Sequence, residues 1–223
     1  MSDDHPKLIF YTIGLVLFLF VLGGCLNTTG PNPDRLTFDL PTALTLDRDE
    51  TIPYIDIVYE SLTEDGVYLI IDGQRALKRK GDSVIWSGSP VTGTEVDLNF
   101  RIVWHTEEQI HLAGKALIVV ENVVPRINEA QTSSDLSFSG PVAYGVATSS
   151  YIPGTGITYQ GVKEEGAELG GLFNEYPYRQ IGDSILWEGQ LRHEVYLRLE
   201  LRTVQYDSRG LRVAGIATVW LGS

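Results

Sequence analysis

The chain has one cysteine, one methionine and four histidines, and far fewer cations than carboxylates. Each shortage removes a class of explanation. A lone cysteine, Cys25, rules out an intramolecular disulfide. Lys and Arg total 17 against 29 Asp and Glu, for a formal net charge of −12. Such a surface repels nucleic acid phosphates, so no nucleic acid partner is expected. The histidines are too few and too scattered to form a base–nucleophile or metal constellation, and no Asp-x-x-His spacing occurs anywhere. Beyond residue 25 no stretch shows the period of an amphipathic helix.

What the chain does have is strand chemistry, with 11 Tyr, 4 Trp and abundant β-branched residues. In Glu194-Val195-Tyr196-Leu197-Arg198-Leu199-Glu200-Leu201-Arg202 every second residue is apolar, which puts one set on a core face and the charges on the other. Val96, Leu98, Phe100 and Ile102 repeat the pattern earlier. Turn signals separate the runs at Glu64-Asp65-Gly66, Lys80-Gly81-Asp82 and Asp207-Ser208-Arg209-Gly210.

The chain also repeats itself. Gly81-Asp82-Ser83-Val84-Ile85-Trp86-Ser87-Gly88 returns as Gly182-Asp183-Ser184-Ile185-Leu186-Trp187-Glu188-Gly189. Around this phrase Leu36 matches Leu136, Phe38 matches Phe138, Pro41 matches Pro141, Tyr59 matches Tyr159 and Gly66 matches Gly166. Ala113-Gly114 matches Ala214-Gly215. The pattern predicts a tandem duplication of a unit of about 90–100 residues, the size of a small domain. The expected fold is all-β, with two tandem homologous antiparallel domains of about six strands each, sandwich or barrel-like. Either each unit closes on itself or the two pack as halves of one body; two similar domains in close contact is the preferred arrangement. The expected boundaries are 36–122 and 136–223, joined by a linker at 123–135.

The first 24 residues, MSDDHPKLIFYTIGLVLFLFVLGG, contain an apolar run of signal-peptide length. They end in Leu22-Gly23-Gly24-Cys25: an aliphatic residue, two small ones, then cysteine. This resembles the lipobox of a prokaryotic lipoprotein precursor. The resemblance implies a signal or anchor helix at 1–24, lipid on the Cys25 thiol, and a location on the cell membrane facing the periplasm or cell exterior. Residues 25–35, polar and carrying Pro31 and Pro33, read as a tether.

Gly-Asp-Ser resembles the start of the motif of GDSL-type lipases and esterases, but that family is α/β and needs the Asp-x-x-His this chain lacks. Gly-Asp as a turn and Ser as the first residue of a strand explains the phrase better. His105 and His111 flank Glu107 and Glu108, and Asp47, Asp49 and Glu50 cluster; solvated loops explain both, so no metal and no cofactor are expected. Residues shared by both copies serve the fold. Differences are the better functional candidates. The largest is Gly170–Tyr178, where Phe173, Tyr176 and Tyr178 replace a charged loop and offer flat contact area for a ligand. The functional expectation is a non-enzymatic, membrane-anchored binding or scaffolding protein whose partner is a protein, a glycan or a small apolar ligand. The alternative is a lipid or apolar-ligand carrier with a cavity in or between the β domains.

Overall fold

A computed structural model of the chain describes residues 26–28, 33–52, 54–127, 136–172 and 174–222. The expected signal or anchor helix, Cys25 and Phe173 lie outside the described residues. Among the described residues there is no helix. A short strand β1 (Leu26–Thr28) precedes β2 (Arg35–Asp47), β3 (Ile57–Thr63), β4 (Gly66–Ile71), β5 (Gln74–Lys78), β6 (Ser83–Gly88), β7 (Thr94–His105) and β8 (Gln109–Glu121). The connecting segment holds β9 (Arg126–Ile127). There follow β10 (Leu136–Ala147), β11 (Ser150–Tyr151), β12 (Thr158–Lys163), β13 (Gly166–Gly170), β14 (Tyr178–Arg179), β15 (Ser184–Arg192), β16 (Val195–Tyr206) and β17 (Gly210–Leu221).

The same sheet plan occurs in both halves. The first has a long sheet β2-β8-β7-β6 and a short sheet β3-β4-β5; the second has β10-β17-β16-β15 and β11-β12-β13-β14. Register shifts also coincide, at Ile102/Trp104 and Thr203/Gln205 in the long sheets and at Tyr59/Ser61 and Tyr159/Gly161 in the short ones. The first half has the seven strands β2–β8 and the second the eight strands β10–β17, rather than about six each. In the first half the sequence hides the extra strand because β4 and β5 are separated only by the turn at Asp72-Gly73. β5 belongs to the short sheet, and β8 returns to pair with β2.

In each half the short sheet is tied to the long one. Arg48 and Thr51, just past β2, bridge to Tyr59 and Val58. At the other end the Lys78 ammonium donates to the Ser83 carbonyl (3.0 Å). The hydroxyl of buried Tyr59 donates to the Thr106 carbonyl in the β7–β8 turn, and Tyr159 does the same to Asp207 in the β16–β17 turn (2.6 Å). Burial raises the pKa of both phenols above the ordinary 10.0.

The repeated phrase now has a mechanical meaning. Gly81 and Gly182 take φ of 91° and 93°, which suits glycine. The Asp82 and Asp183 carboxylates accept the backbone N–H of Arg79 (2.8 Å) and Gln180 (2.7 Å), closing the turn. Trp86 and Trp187 are buried. A Cβ on Gly88 would fall 2.5 Å from the Trp86 ring, and one on Gly189 would fall 2.8 Å from the Trp187 ring. Trp-x-Gly is thus one unit, with the glycine leaving space for the indole of its i−2 neighbour.

Buried side chains from both halves form one continuous cluster, running from Leu36 through Phe100 and Tyr159 to Leu221. β2 and β10 meet directly, with the missing side chain of Gly140 facing Leu40. The loops are exchanged reciprocally. Gly154 lies against Leu36 of the first half, and Tyr54 of the first half lies against Gly222 of the second. The expected tether and linker are also partly built in. Leu26–Thr28 pairs parallel with Tyr144–Val146, and Arg126–Ile127 pairs with Gly189–Gln190.

Candidate functional site

Of the three aromatic residues singled out in the divergent loop, Tyr176 and Tyr178 are described. Their rings meet edge to face with centroids 5.3 Å apart. Tyr176 is 64% exposed. The loop is held from beneath by Arg179, whose side chain is nearly buried. Its Nη1 donates to the carbonyls of Tyr176 and, at 3.2 Å, Tyr178; its Nε donates to Ser184 O (3.0 Å); its Nη2 pairs with Glu175 at 2.5 Å. Five guanidinium N–H groups in one plane suit this fan of carbonyls. The braced tyrosines present an aromatic surface whose ordering cost is already met by the fold.

The outer face of the second long sheet holds residues that sequence reading assigned only to a charged, solvated side. Cross-strand register places them in rows. Glu188, Arg198, Thr218 and Ser139 form one row; Gln190, Tyr196, Trp220 and Ser137 form the next. Arg198 is the hub. Its Nε pairs with Glu188, its Nη1 lies 3.8 Å from Glu200, and its guanidinium sits 5.9 Å from the Trp220 ring centroid. Gln190 donates to the Tyr196 hydroxyl at 3.4 Å, and Ser139 bonds Thr218 at 3.0 Å. Beside them an open depression of about 370 Å³ is lined by Ser184, Leu186, Arg198, Glu200 and Arg202, among others.

The equivalent rows of the first half read Ser87, Asp97, Leu117, Asp39 and then Glu95, Val119, Thr37. By contrast, the row Ser83, Arg101, Ala113, Ala43 has the same composition as Ser184, Arg202, Ala214, Ala143. The halves therefore agree at one end of the outer face and diverge at the other. Tyr, Trp and Arg are the side chains that most often anchor macromolecular contacts. Period-2 alternation puts Tyr196 and Arg198 on this face, but their meeting with Trp220 depends on pairing register.

Most of the remaining candidates have structural partners; the Nδ1 of His105 is buried without a hydrogen-bond partner. Ser83 and Ser184 stand in the ladder opposite Arg101 and Arg202, and the neighbouring Asp82 and Asp183 close turns. His111 bonds Thr45 (2.9 Å) and stacks on Trp104 with centroids 4.9 Å apart. Asp47 accepts from Gln109 (2.7 Å), and the Glu50 carboxylate accepts the Asp47 backbone N–H (2.9 Å). Among the described residues no three His, Cys, Asp or Glu side chains gather as a metal site. Backbone and side-chain hydrogen bonds from Arg209, and a backbone bond from Gly210, lower the pKa of Asp207 in the β16–β17 turn. Among the described residues no helix is long and apolar enough to cross a membrane. Compared with protein-family models, curated proteins and solved structures, the chain matches none.

Proposed function

We propose that this chain is a membrane-anchored extracytoplasmic lipoprotein. It is tethered through lipid on Cys25, faces the periplasm or cell exterior, and acts by binding or scaffolding rather than by catalysis. The observation that carries the reading is Leu22-Gly23-Gly24-Cys25 at the end of an apolar run, with the only cysteine of the chain at the position such a signal requires. Two or three acyl chains on one residue would hold the body at a bilayer surface, which a single chain does poorly.

The body behind that anchor supports a binding role. We infer that it arose by tandem duplication, in keeping with two matching sheet plans and coincident register shifts. After doubling, one copy is free to diverge at its surface. The divergent surface is Tyr176 and Tyr178 on their Arg179-braced loop, together with half-buried Tyr196 and Arg198; Trp220 beneath Arg198 is itself buried. A protein or glycan partner suits that mixture of flat aromatic area and directional polar groups. The carrier alternative fits less well. The inner faces are filled by buried side chains such as Leu98, Phe100, Leu199 and Leu201 in one cluster, which a lipid would have to displace.

The test is expression of the full chain in a bacterial host, followed by detergent partitioning and mass spectrometry of the N-terminal peptide. The expected result is a mature chain beginning at Cys25 with acyl mass on it, and loss of both processing and lipid in Cys25→Ser. An unprocessed, unacylated N-terminus overturns the lipoprotein reading. Native mass spectrometry of the same material addresses the carrier: a co-purifying lipid lost on denaturation would replace the binding role with that alternative.

A further inference from the structure

β6 is the terminal strand of the first half's long sheet. Its residues alternate in the direction of their backbone groups. The Asp82 carbonyl accepts Ile102 N–H across to β7 (3.1 Å), whereas the Ser83 carbonyl faces the other way, to Lys78. Continuing the alternation, Ile85 and Ser87 turn their N–H and C=O groups away from β7. Among the described residues no strand pairs with that edge.

The matching strand of the second half, β15, is occupied at its far end. β9 pairs with β15 at Gly189 and Gln190, and Val124 N–H donates to Leu191 O (2.8 Å). A Cβ on Gly189 would fall 2.2 Å from Arg126 O, so β9 lies tight against the edge. On Gly88 the nearest atoms to such a Cβ all belong to the Trp86 ring. β9 thus adds to β15 just past the stretch that matches β6; Ser184–Glu188, which match Ser83–Ser87, pair only with β16 among the described residues.

Open edges are normally guarded by Lys, Pro, a bulge or an inward charge. Ser83-Val84-Ile85-Trp86-Ser87-Gly88 has none of these, and its register with β7 is unbroken from end to end. Ile85 is 59% exposed on the outer face. The strand is self-complementary in antiparallel pairing centred on Ile85. Ile85 meets Ile85, Val84 meets Trp86, Ser83 meets Ser87 and Asp82 meets Gly88, so no like charges oppose. The Ser83 carbonyl, with two lone pairs, can keep Lys78 and still accept from a partner strand.

We propose that β6 is a docking edge for a second copy of this chain, joining two long sheets into one across a two-fold axis. The pairing is isologous, so at this edge it closes as a dimer. Main-chain hydrogen bonds supply affinity, and the Ile85 contact sets the register.

The test uses the full chain with Cys25→Ser, which removes its only thiol and makes the result independent of lipidation. Ile85→Cys in this background is oxidised and run on a non-reducing gel. Ile216→Cys, 43% exposed but on β17, which is paired on both sides, is the control. The expected result is a disulfide-linked band at twice the chain mass for Ile85→Cys and a band at the chain mass for Ile216→Cys. Adding Ser87→Pro removes an edge N–H, a change edge strands tolerate. It should abolish the dimer band with the far-ultraviolet circular dichroism unchanged. Equal dimer from the two cysteines, none from either, or a dimer that survives Ser87→Pro in the folded chain overturns the proposal. So does cross-linking of Ile85→Cys only to a different protein.

Discussion

Leu40 and Gly140 occupy equivalent places on β2 and β10, and they face each other across the junction of the two halves. A Cβ on Gly140 would lie 3.1 Å from the Leu40 Cβ and 3.2 Å from the Pro41 carbonyl oxygen. Leu40 itself is fully buried. One copy of the position supplies volume and the other supplies room. The halves are similar in plan but not interchangeable at their contact.

This pairing predicts coupling. Leu40→Ala should cost about 2–5 kcal/mol, as removal of a buried leucine generally does. Gly140→Val should cost about 1–3 kcal/mol by overpacking. Together the two should cost clearly less than the sum, because the valine fills part of the void. Urea unfolding of the four-member cycle measures this, and strict additivity would show that the two positions do not share one space.

A second contact joins the halves through Arg192, whose Nη1 donates to the carbonyls of Glu121 (2.7 Å) and Gly93 (3.4 Å). Gly93 has φ 72°, and a Cβ there would sit 1.7 Å from the guanidinium. Arg192→Ala should lose about 1.5–3 kcal/mol, the range for hydrogen bonds to a charged group. Gly93→Ala should be costly in the unaltered chain and cost only about 1–2 kcal/mol, the left-handed backbone penalty, when Arg192 is already alanine. Thermal melts of the three variants decide it.

Gly189→Ala should harm the protein more than Gly88→Ala. Both push into an indole, but only Gly189 also faces the backbone carbonyl of Arg126 at 2.2 Å. The first change should therefore release β9. Hydrogen exchange at the amides of Val124, Arg126 and Ile127 should accelerate in Gly189→Ala and stay unchanged in Gly88→Ala.

Alkaline pH should destabilise the fold in a traceable way. Burial raises the phenol pKa values of Tyr59, Tyr144 and Tyr159 above the ordinary 10.0. The folded state holds these protons more tightly than the unfolded chain. Their contribution is complete below pH 10 and is lost as pH rises from there through the folded-state values. Tyr144→Phe should flatten part of that decline, since its burial is the sole cause of its shift. Tyr59→Phe and Tyr159→Phe should also each lose about 1 kcal/mol near neutral pH, the typical worth of one hydrogen bond.

Much of the fold could be read from particular residues. Alternation in Val195–Tyr206 and Thr94–His105 marks inner and outer faces correctly for most positions, because a strand has period two whatever it pairs with. The matched Tyr59 and Tyr159 are buried, as conservation between copies implies. That rule has exceptions. Ile85 and Leu186 occupy matching places, are apolar in both copies and are exposed in both. The loop candidates Tyr176 and Tyr178 stood out because they differ from Ala76 and Lys78. Arg198 and Trp220 did not, because nothing in either strand alone says which residue of the other lies beside it.

The order of residues alone thus determined the strands, their facing, the turns and the repeated phrases, all of which rest on interactions between near neighbours or on plain comparison. It also set the single cysteine behind its apolar run. Tertiary structure decided the rest: which strands share a sheet, that β8 returns to β2, that Leu40 rests on Gly140, and that β9 adds to β15 while β6 stays open. These depend on contacts between residues far apart in the chain. They form only when burying both inner faces at once fixes the register between strands and the fit between halves.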